Sequence, residues 1–69
     1  MKRIFFVEDD LSLIHGLSFA LRQQGYEVIV ARTCLEAETL WQAGGFDLAI
    51  LDVTLPDGSG FDLCRRFRQ

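Results

Sequence analysis

Short apolar runs alternate with helix-like patterns along the whole chain, and this alternation constrains the fold more than any other feature. Apolar runs at residues 4–7, 27–31 and 46–51 are typical of buried strands. Between them, apolar residues recur at spacings of three and four, which favours helices. Strands and helices in strict alternation predict a parallel sheet with right-handed crossovers. We therefore expect an α/β fold with the order β-α-β-α-β-α.

The first helix is predicted to begin at Leu11, and Gly25 is expected to stop it. Its apolar stripe, which should face the sheet, comprises Leu13, Ile14, Leu17, Ala20 and Leu21. His15 lies outside this stripe and is interpreted as a surface residue. Trp41 and the six phenylalanines are assigned to the core.

Capping signals place the other two helices. Thr33 and Glu36 have the spacing of a capping box, so a second helix is predicted to begin there and to end at the Gly-Gly pair of residues 44–45. Ser59 and Asp62 repeat the spacing before a third helix, which should extend to the C-terminus.

Size and composition narrow the class of protein. The 69 residues allow one domain with a small core. Cys34 and Cys64 lack metal-site spacing and are too few for a disulfide framework, so both are interpreted as buried thiols. A net charge of −3 offers no general attraction to nucleic acid. The apolar run at residues 4–7 is too short for a signal peptide or a membrane span, so a cytoplasmic location without membrane contact is predicted.

Acidic residues follow the first and third strands. Ligands of such sheets bind beyond the carboxyl ends of the strands. If the first strand lies between the other two, then Glu8, Asp9 and Asp10 lie beside Asp52. Like charges this close destabilise each other unless a cation such as Mg²⁺ compensates them, and a carboxylate there can attack a phosphoryl group. The pattern favours a metal and phosphoryl site, although Asp10 can instead be the N-cap of the first helix.

The segments "IFFVEDD" and "FDLAILDVTLPDGSGFDLCRRFR" resemble the receiver domain of bacterial two-component response regulators, in particular the transcription-factor class with a winged-helix effector. The resemblance extends along all 69 residues. It implies a flavodoxin-like (βα)5 fold that accepts a phosphoryl group from the phosphohistidine of a sensor histidine kinase. It also implies control of a DNA-binding output through an effector domain outside this chain.

The same resemblance implies roles for individual residues. Asp52 corresponds to the phosphoacceptor and, with Asp9, to a direct Mg²⁺ ligand. Glu8 corresponds to a ligand that reaches the ion through water, and the backbone carbonyl of Thr54 completes the protein ligands. No catalytic residue beyond Asp52 is implied. The turn after the third strand carries Pro56, Gly58 and Gly60.

The chain departs from the family pattern in its length. A family receiver has two further strands, the fourth ending in a Ser or Thr that senses the phosphoryl group and the fifth in a Lys that pairs with it. The only lysine here is Lys2. We therefore expect residues 1–69 to form a partial receiver of three βα units that is not an enzyme in its own right. We also expect it to associate, as a homodimer or by exchange of elements between copies.

Other functional classes fit the sequence less well. Phosphatases of the haloacid-dehalogenase type need a second acid two positions after the nucleophile, where this chain has Thr54. A P-loop is excluded because the sequence lacks the G-x-x-x-x-G-K-[ST] pattern. Asp57 is interpreted as an ordinary turn residue and Asp47 as structural. The remaining alternative is a fragment that serves only for dimerisation or interaction, without phosphotransfer.

Overall fold

The computed structural model describes residues 1–68, and its elements follow the predicted alternation with one addition. The elements in chain order are β1 (Arg3–Val7), α1 (Leu11–Gln23), β2 (Glu27–Ala31), α2 (Cys34–Trp41), β3 (Leu48–Leu51), β4 (Thr54–Leu55), β5 (Gly58–Ser59) and α3 (Gly60–Phe67). The addition is the short β4–β5 hairpin between the third strand and the third helix. Within the described residues, no helix is long and apolar enough to cross a membrane.

The strand β1 is the centre of a three-stranded parallel sheet with the order β2-β1-β3. Val7 at its end pairs with Ala31 on one side and with Leu51 on the other. The carboxyl ends of the three strands therefore lie level, and the residues that follow them meet at one edge. This confirms the predicted parallel sheet and the central place of the first strand.

Two boundaries differ from the prediction. The strand β3 begins at Leu48, two residues late, because the N–H of Arg3 donates to the Asp47 carboxylate (2.8 Å) rather than to a strand carbonyl. The helix α2 ends at Trp41, before the predicted Gly-Gly pair. Residues 44–45 have φ of 72° and 80°, so they form the left-handed turn between α2 and β3 instead.

The predicted helix starts are confirmed. The Thr33 hydroxyl accepts from the N–H of Glu36 (3.1 Å) and caps α2. The Ser59 hydroxyl caps α3 by accepting from the N–H of Phe61 (3.1 Å). Gly25, with φ of 89°, follows the end of α1 as expected for a glycine stop.

The main core lies between the sheet and the helices α2 and α3. Phe5 and Val7 of β1 are fully buried there. Trp41 stacks on Phe67 with ring centroids 4.1 Å apart, and Phe46 lies 5.4 Å from Trp41. The ring of Phe5 lies 4.8 to 5.9 Å from the other three rings. These four aromatic residues therefore form one cluster, which confirms Trp41 as a core residue.

Helix α1 covers the opposite face of the sheet with a different stripe from the predicted one. Its buried residues are Ile14 and Ser18. Leu13 and Leu17 are 55% and 37% exposed, so their assignment to the buried stripe is wrong. The helix lies over the β2 side of the sheet, and both leucines line an open groove beside Phe6 on the β3 side. Among the described residues, no element covers that groove.

Two of the aromatic residues assigned to the core lie on the surface. Phe19 and Phe61 are 65% and 66% exposed, because they occupy outward-facing positions of α1 and α3. His15 is exposed, as predicted. Cys34 and Cys64 are free thiols, each half-buried rather than fully buried.

Candidate functional site

Three carboxylates meet at the carboxyl edge of the sheet. Oxygen atoms of Glu8, Asp9 and Asp52 lie within 4.8 Å of one another. The backbone produces this convergence, because the N–H of Asp52 donates to the Val7 carbonyl (2.9 Å) and the N–H of Glu8 donates to the Ala31 carbonyl (3.0 Å). The backbone hydrogen bonding of the sheet therefore extends one residue beyond the strands, to Glu8 and Asp52. The juxtaposition predicted from the strand order is present.

Glu8 is the most buried of the three acids. Its carboxylate accepts from the N–H groups of Asp9 (3.1 Å) and Asp10 (3.2 Å). Burial raises the pKa of Glu8 above its ordinary value of 4.5, and the nearby charge of Asp52 raises it further, while the two hydrogen bonds lower it in part. Because the folded-state pKa is raised, the free energy of unfolding falls as the pH rises from 4.5 through the folded value. The ionised cluster therefore opposes folding, and a bound cation would relieve this.

Asp10 does not join the cluster. Its carboxylate accepts from the N–H groups of Ser12 (2.9 Å) and Leu13 (3.2 Å) and so caps α1. Of the two interpretations of Asp10, the N-cap is the one that the structure supports.

Asp52 is half-buried, and its backbone is closely packed. A Cβ added to Gly60 would lie 1.9 Å from the carbonyl oxygen of Asp52, so only glycine fits at that position. The N–H of Gly60 donates to the Val53 carbonyl (3.0 Å), which closes the loop. The N–H of Thr54 lies 3.5 Å from Oδ1 of Asp52, a long contact that keeps Thr54 beside the acidic cluster.

The residues predicted to form a simple turn after the third strand are divided among three elements. The strand β4 (Thr54–Leu55) pairs antiparallel with β5 (Gly58–Ser59). Pro56 lies with Asp57 in the turn between them, and Gly60 is the first residue of α3. The predicted turn is therefore a hairpin, and Gly60 begins the third helix, as predicted for that helix.

Two further residues lie close to the site or to the hairpin, and neither role was predicted. A guanidinium nitrogen of Arg32 lies 3.5 Å from the Asp9 carbonyl oxygen, which brings a positive charge to the rim of the acidic cluster. The Asp57 carboxylate accepts from the N–H groups of Cys34 (2.6 Å) and Leu35 (3.1 Å). These two hydrogen bonds lower the pKa of Asp57 below its ordinary value of 3.8. Nothing local in the sequence signals this contact, because its partners are 22 and 23 residues away.

Comparison with known proteins gives the same family as the sequence motifs. The response regulator receiver domain family matches residues 4–69. The chain is 47% identical over 57 residues to the swarming motility regulation protein RssB of Serratia marcescens. That match covers 83% of this chain but only 26% of RssB, so the chain spans about a quarter of that relative.

Solved structures of receivers superpose closely on this fold. The non-phosphorylated HemR receiver domain from Leptospira biflexa is 47% identical, with a TM-score of 0.91 over 96% of this chain and 53% of that one. The response regulator TrrA from Thermotoga maritima, in complex with Mg²⁺-BeF, is 35% identical, with a TM-score of 0.92 over 99% of this chain and 59% of that one. TrrA in complex with the histidine kinase ThkA matches with a TM-score of 0.91. The fold is therefore flavodoxin-like, and the chain spans little more than half of these receivers.

The predicted family and fold are thereby confirmed: the chain belongs to the response regulator receiver domain family of two-component systems.

Proposed function

We propose that this chain is the phosphoacceptor part of a response regulator and that Asp52 receives a phosphoryl group from the phosphohistidine of a sensor histidine kinase. The observation that carries the proposal is the convergence of Glu8, Asp9 and Asp52 at the carboxyl edge of the sheet. Within a receiver, this is a set of oxygen donors placed at the edge where parallel sheets bind ligands.

The donor set fits Mg²⁺. All the side-chain donors are carboxylate oxygens, which a small hard cation prefers. Asp9 and Asp52 would hold the ion directly, Glu8 through water, and Thr54 through its backbone carbonyl. When bound, Mg²⁺ would neutralise the negative charge that otherwise repels an incoming phosphoryl group. The raised pKa of Glu8 is consistent with this assignment, because burial and the neighbouring Asp52 both disfavour its charged form, which a cation would stabilise.

Asp52 would act as the nucleophile. A carboxylate oxygen of Asp52 forms a bond to phosphorus as the bond between phosphorus and the imidazole nitrogen of the donor breaks. The electron pair of that broken bond stays on the imidazole nitrogen, and the product is an acyl phosphate. The close approach of Gly60 to the Asp52 carbonyl supports this role, because it leaves the backbone of Asp52 little room to move.

The proposed partner is a sensor histidine kinase. TrrA, which shares this fold, forms a complex with the histidine kinase ThkA, and this supports a similar encounter here. Phosphorylation would then control a DNA-binding output in another part of the regulator. The alternative is a module that only dimerises or binds a partner, and the phosphorylation experiment separates the two.

The test is incubation of the chain with acetyl phosphate and Mg²⁺, followed by measurement of the intact mass. We expect a mass increase of one phosphoryl group, lost in Asp52→Ala and kept in the matched control Asp62→Ala, which removes an exposed carboxylate paired with Arg65. Labelling of Asp52→Ala at the wild-type level would refute the assignment of Asp52. A folded wild-type chain that stays unlabelled would favour the interaction-only alternative.

A further inference from the structure

The side chain of Asp57 connects the β4–β5 hairpin to the start of helix α2 by hydrogen bonds. Asp57, in the turn of the hairpin, accepts from the N–H groups of Cys34 (2.6 Å) and Leu35 (3.1 Å). These are the first two N–H groups of α2, which have no partner inside the helix. The partial positive charge of a helix N-terminus also favours a carboxylate there. Asp57 therefore accepts hydrogen bonds from two helix N–H groups that would otherwise lack a partner, and it also fixes the tip of the hairpin.

The hairpin is also held at two other points. At its base, Gly60 packs against the carbonyl oxygen of Asp52. In its first strand, the side chain of Leu55 is 6% exposed and belongs to the main core. Each hairpin strand has only two residues, too few to be stable through their own pairing. The hairpin thus depends on its attachments, and Asp57 provides the attachment farthest from its base.

We propose that Asp57 is a positioning residue for the acidic site. By holding the tip of the hairpin against α2, it keeps the backbone of Thr54 beside Asp52, where the Thr54 N–H lies 3.5 Å from the Asp52 carboxylate. Asp57 is not a member of the acidic group formed by Glu8, Asp9 and Asp52. Its effect on that site is transmitted through the hairpin backbone. This inference rests on the proposed function, because it assigns to Thr54 a place among the Mg²⁺ ligands.

Two matched variants separate positioning from simple support of the helix. Asp57→Ala removes both hydrogen bonds to α2 and frees the tip of the hairpin. Thr33→Val also removes a hydrogen bond at the start of α2, from the N–H of Glu36, but neither residue of that bond belongs to the hairpin. Asp57→Asn retains an acceptor oxygen and serves as the conservative replacement.

The measurement is a titration of each variant with Mg²⁺, followed by NMR through the amide shifts of Asp9, Asp52 and Thr54. For Asp57→Ala we expect the Kd for Mg²⁺ to rise about tenfold, the lower end of the range for residues that orient metal ligands from outside. Thr33→Val should stay within about twofold of the wild type. Asp57→Asn should lie between the two. Equal losses in Asp57→Ala and Thr33→Val, or no loss in Asp57→Ala, would overturn the proposal.

Amide shifts recorded without Mg²⁺ test the positioning role of Asp57 independently of the proposed metal site. A wild-type chain that shows no response to Mg²⁺ contradicts the metal site itself. The attachment is then judged by the shifts of Thr54 and Ser59 in the metal-free chain. Displacement of both in Asp57→Ala, with neither displaced in Thr33→Val, supports the positioning role. Unchanged shifts in Asp57→Ala contradict it.

Discussion

The close approach of Gly60 constrains the position of Asp52. A methyl group at this position would lie 1.9 Å from the Asp52 carbonyl oxygen, so Gly60→Ala must displace either the start of α3 or the end of β3. We expect a loss of about 1–3 kcal/mol in the free energy of unfolding, typical of overpacking in a close-packed site. Urea denaturation measures this loss, and the amide shift of Asp52 should move in the same variant.

Gly16 provides the matched control for that prediction. It lies in α1, and a Cβ added there would meet no atom within 4 Å. Gly16→Ala should therefore stabilise the chain by about 0.5–1 kcal/mol, because alanine loses less conformational freedom in a helix. If Gly60→Ala were as stable as the wild type, with an unmoved Asp52 amide, the close approach would not constrain the site.

The ionised carboxylate of Glu8 in the acidic site lowers the stability of the fold. Its carboxylate is buried beside Asp52, and burial and the neighbouring charge both raise its pKa. The N–H groups of Asp9 and Asp10 offset part of this effect. A carboxylate placed for packing alone would be less stable here than an amide of the same shape. Binding of a cation, as proposed for this site, would offset that cost.

At the level of elements, helix α1 buries a polar side chain, Ser18, at a cost to stability. Its side chain is 2% exposed, and its hydroxyl has no hydrogen-bond partner among the described residues. Ser18→Ala should raise the free energy of unfolding by about 1 kcal/mol, because it removes a buried polar group without a partner. Chemical denaturation checks this value.

A substitution at the exposed Ser12 separates the effect of burial on stability from the effect of helix propensity. Ser12→Ala makes the same substitution in the same helix, so it should gain about 0.5 kcal/mol or less from propensity alone. Equal gains in the two variants would mean that the Ser18 hydroxyl is satisfied, for example by water, and the prediction would then be wrong.

Elements with a local pattern could be predicted from the sequence, whereas features that depend on distant contacts could not. The three main strands, the three helices and the meeting of Glu8 with Asp52 follow from periodicity and from the usual order of a parallel sheet. The β4–β5 hairpin has strands of two residues, too short to show a period. The contact of Asp57 with α2 joins segments that are 22 and 23 residues apart.

The prediction of which α1 residues are buried was wrong for a related reason. Its apolar spacing defines a face of the helix but not the neighbour that covers it. The helix lies toward β2, so Ser18 is buried while Leu13 and Leu17 are left at the groove beside β3.

At the level of the whole molecule, the outer edge of β3 is an unpaired and partly apolar edge of the sheet. One side of β3 pairs with β1, and no described strand pairs with the other side. Leu48 on this strand is 55% exposed. Leu13, Leu17 and Ile50 line the adjoining groove on the α1 face. An exposed apolar strand edge is a template for pairing with another chain.

We expect a second copy of the chain to occupy this edge as a symmetric homodimer. A twofold axis through Ala49 would pair the two β3 strands antiparallel and place Leu48 opposite Ile50 of the other copy, with both side chains on the same face of the sheet. Each copy has a net charge of −3, so the two copies repel each other, and Mg²⁺ or low pH should strengthen the dimer.

Sedimentation equilibrium at micromolar concentration, with and without Mg²⁺, measures this association. Leu48→Lys places a charge on the strand edge and should shift the equilibrium toward monomer. Leu35→Lys changes a leucine of α2 that is 70% exposed, away from β3, and should leave the equilibrium unchanged. A wild-type chain that remains a folded, monodisperse species of 7.8 kDa under both conditions would show that the edge of β3 does not pair. Equal dissociation in the two lysine variants would place the interface elsewhere, because only Leu48 lies on the strand whose unpaired edge the dimer would use.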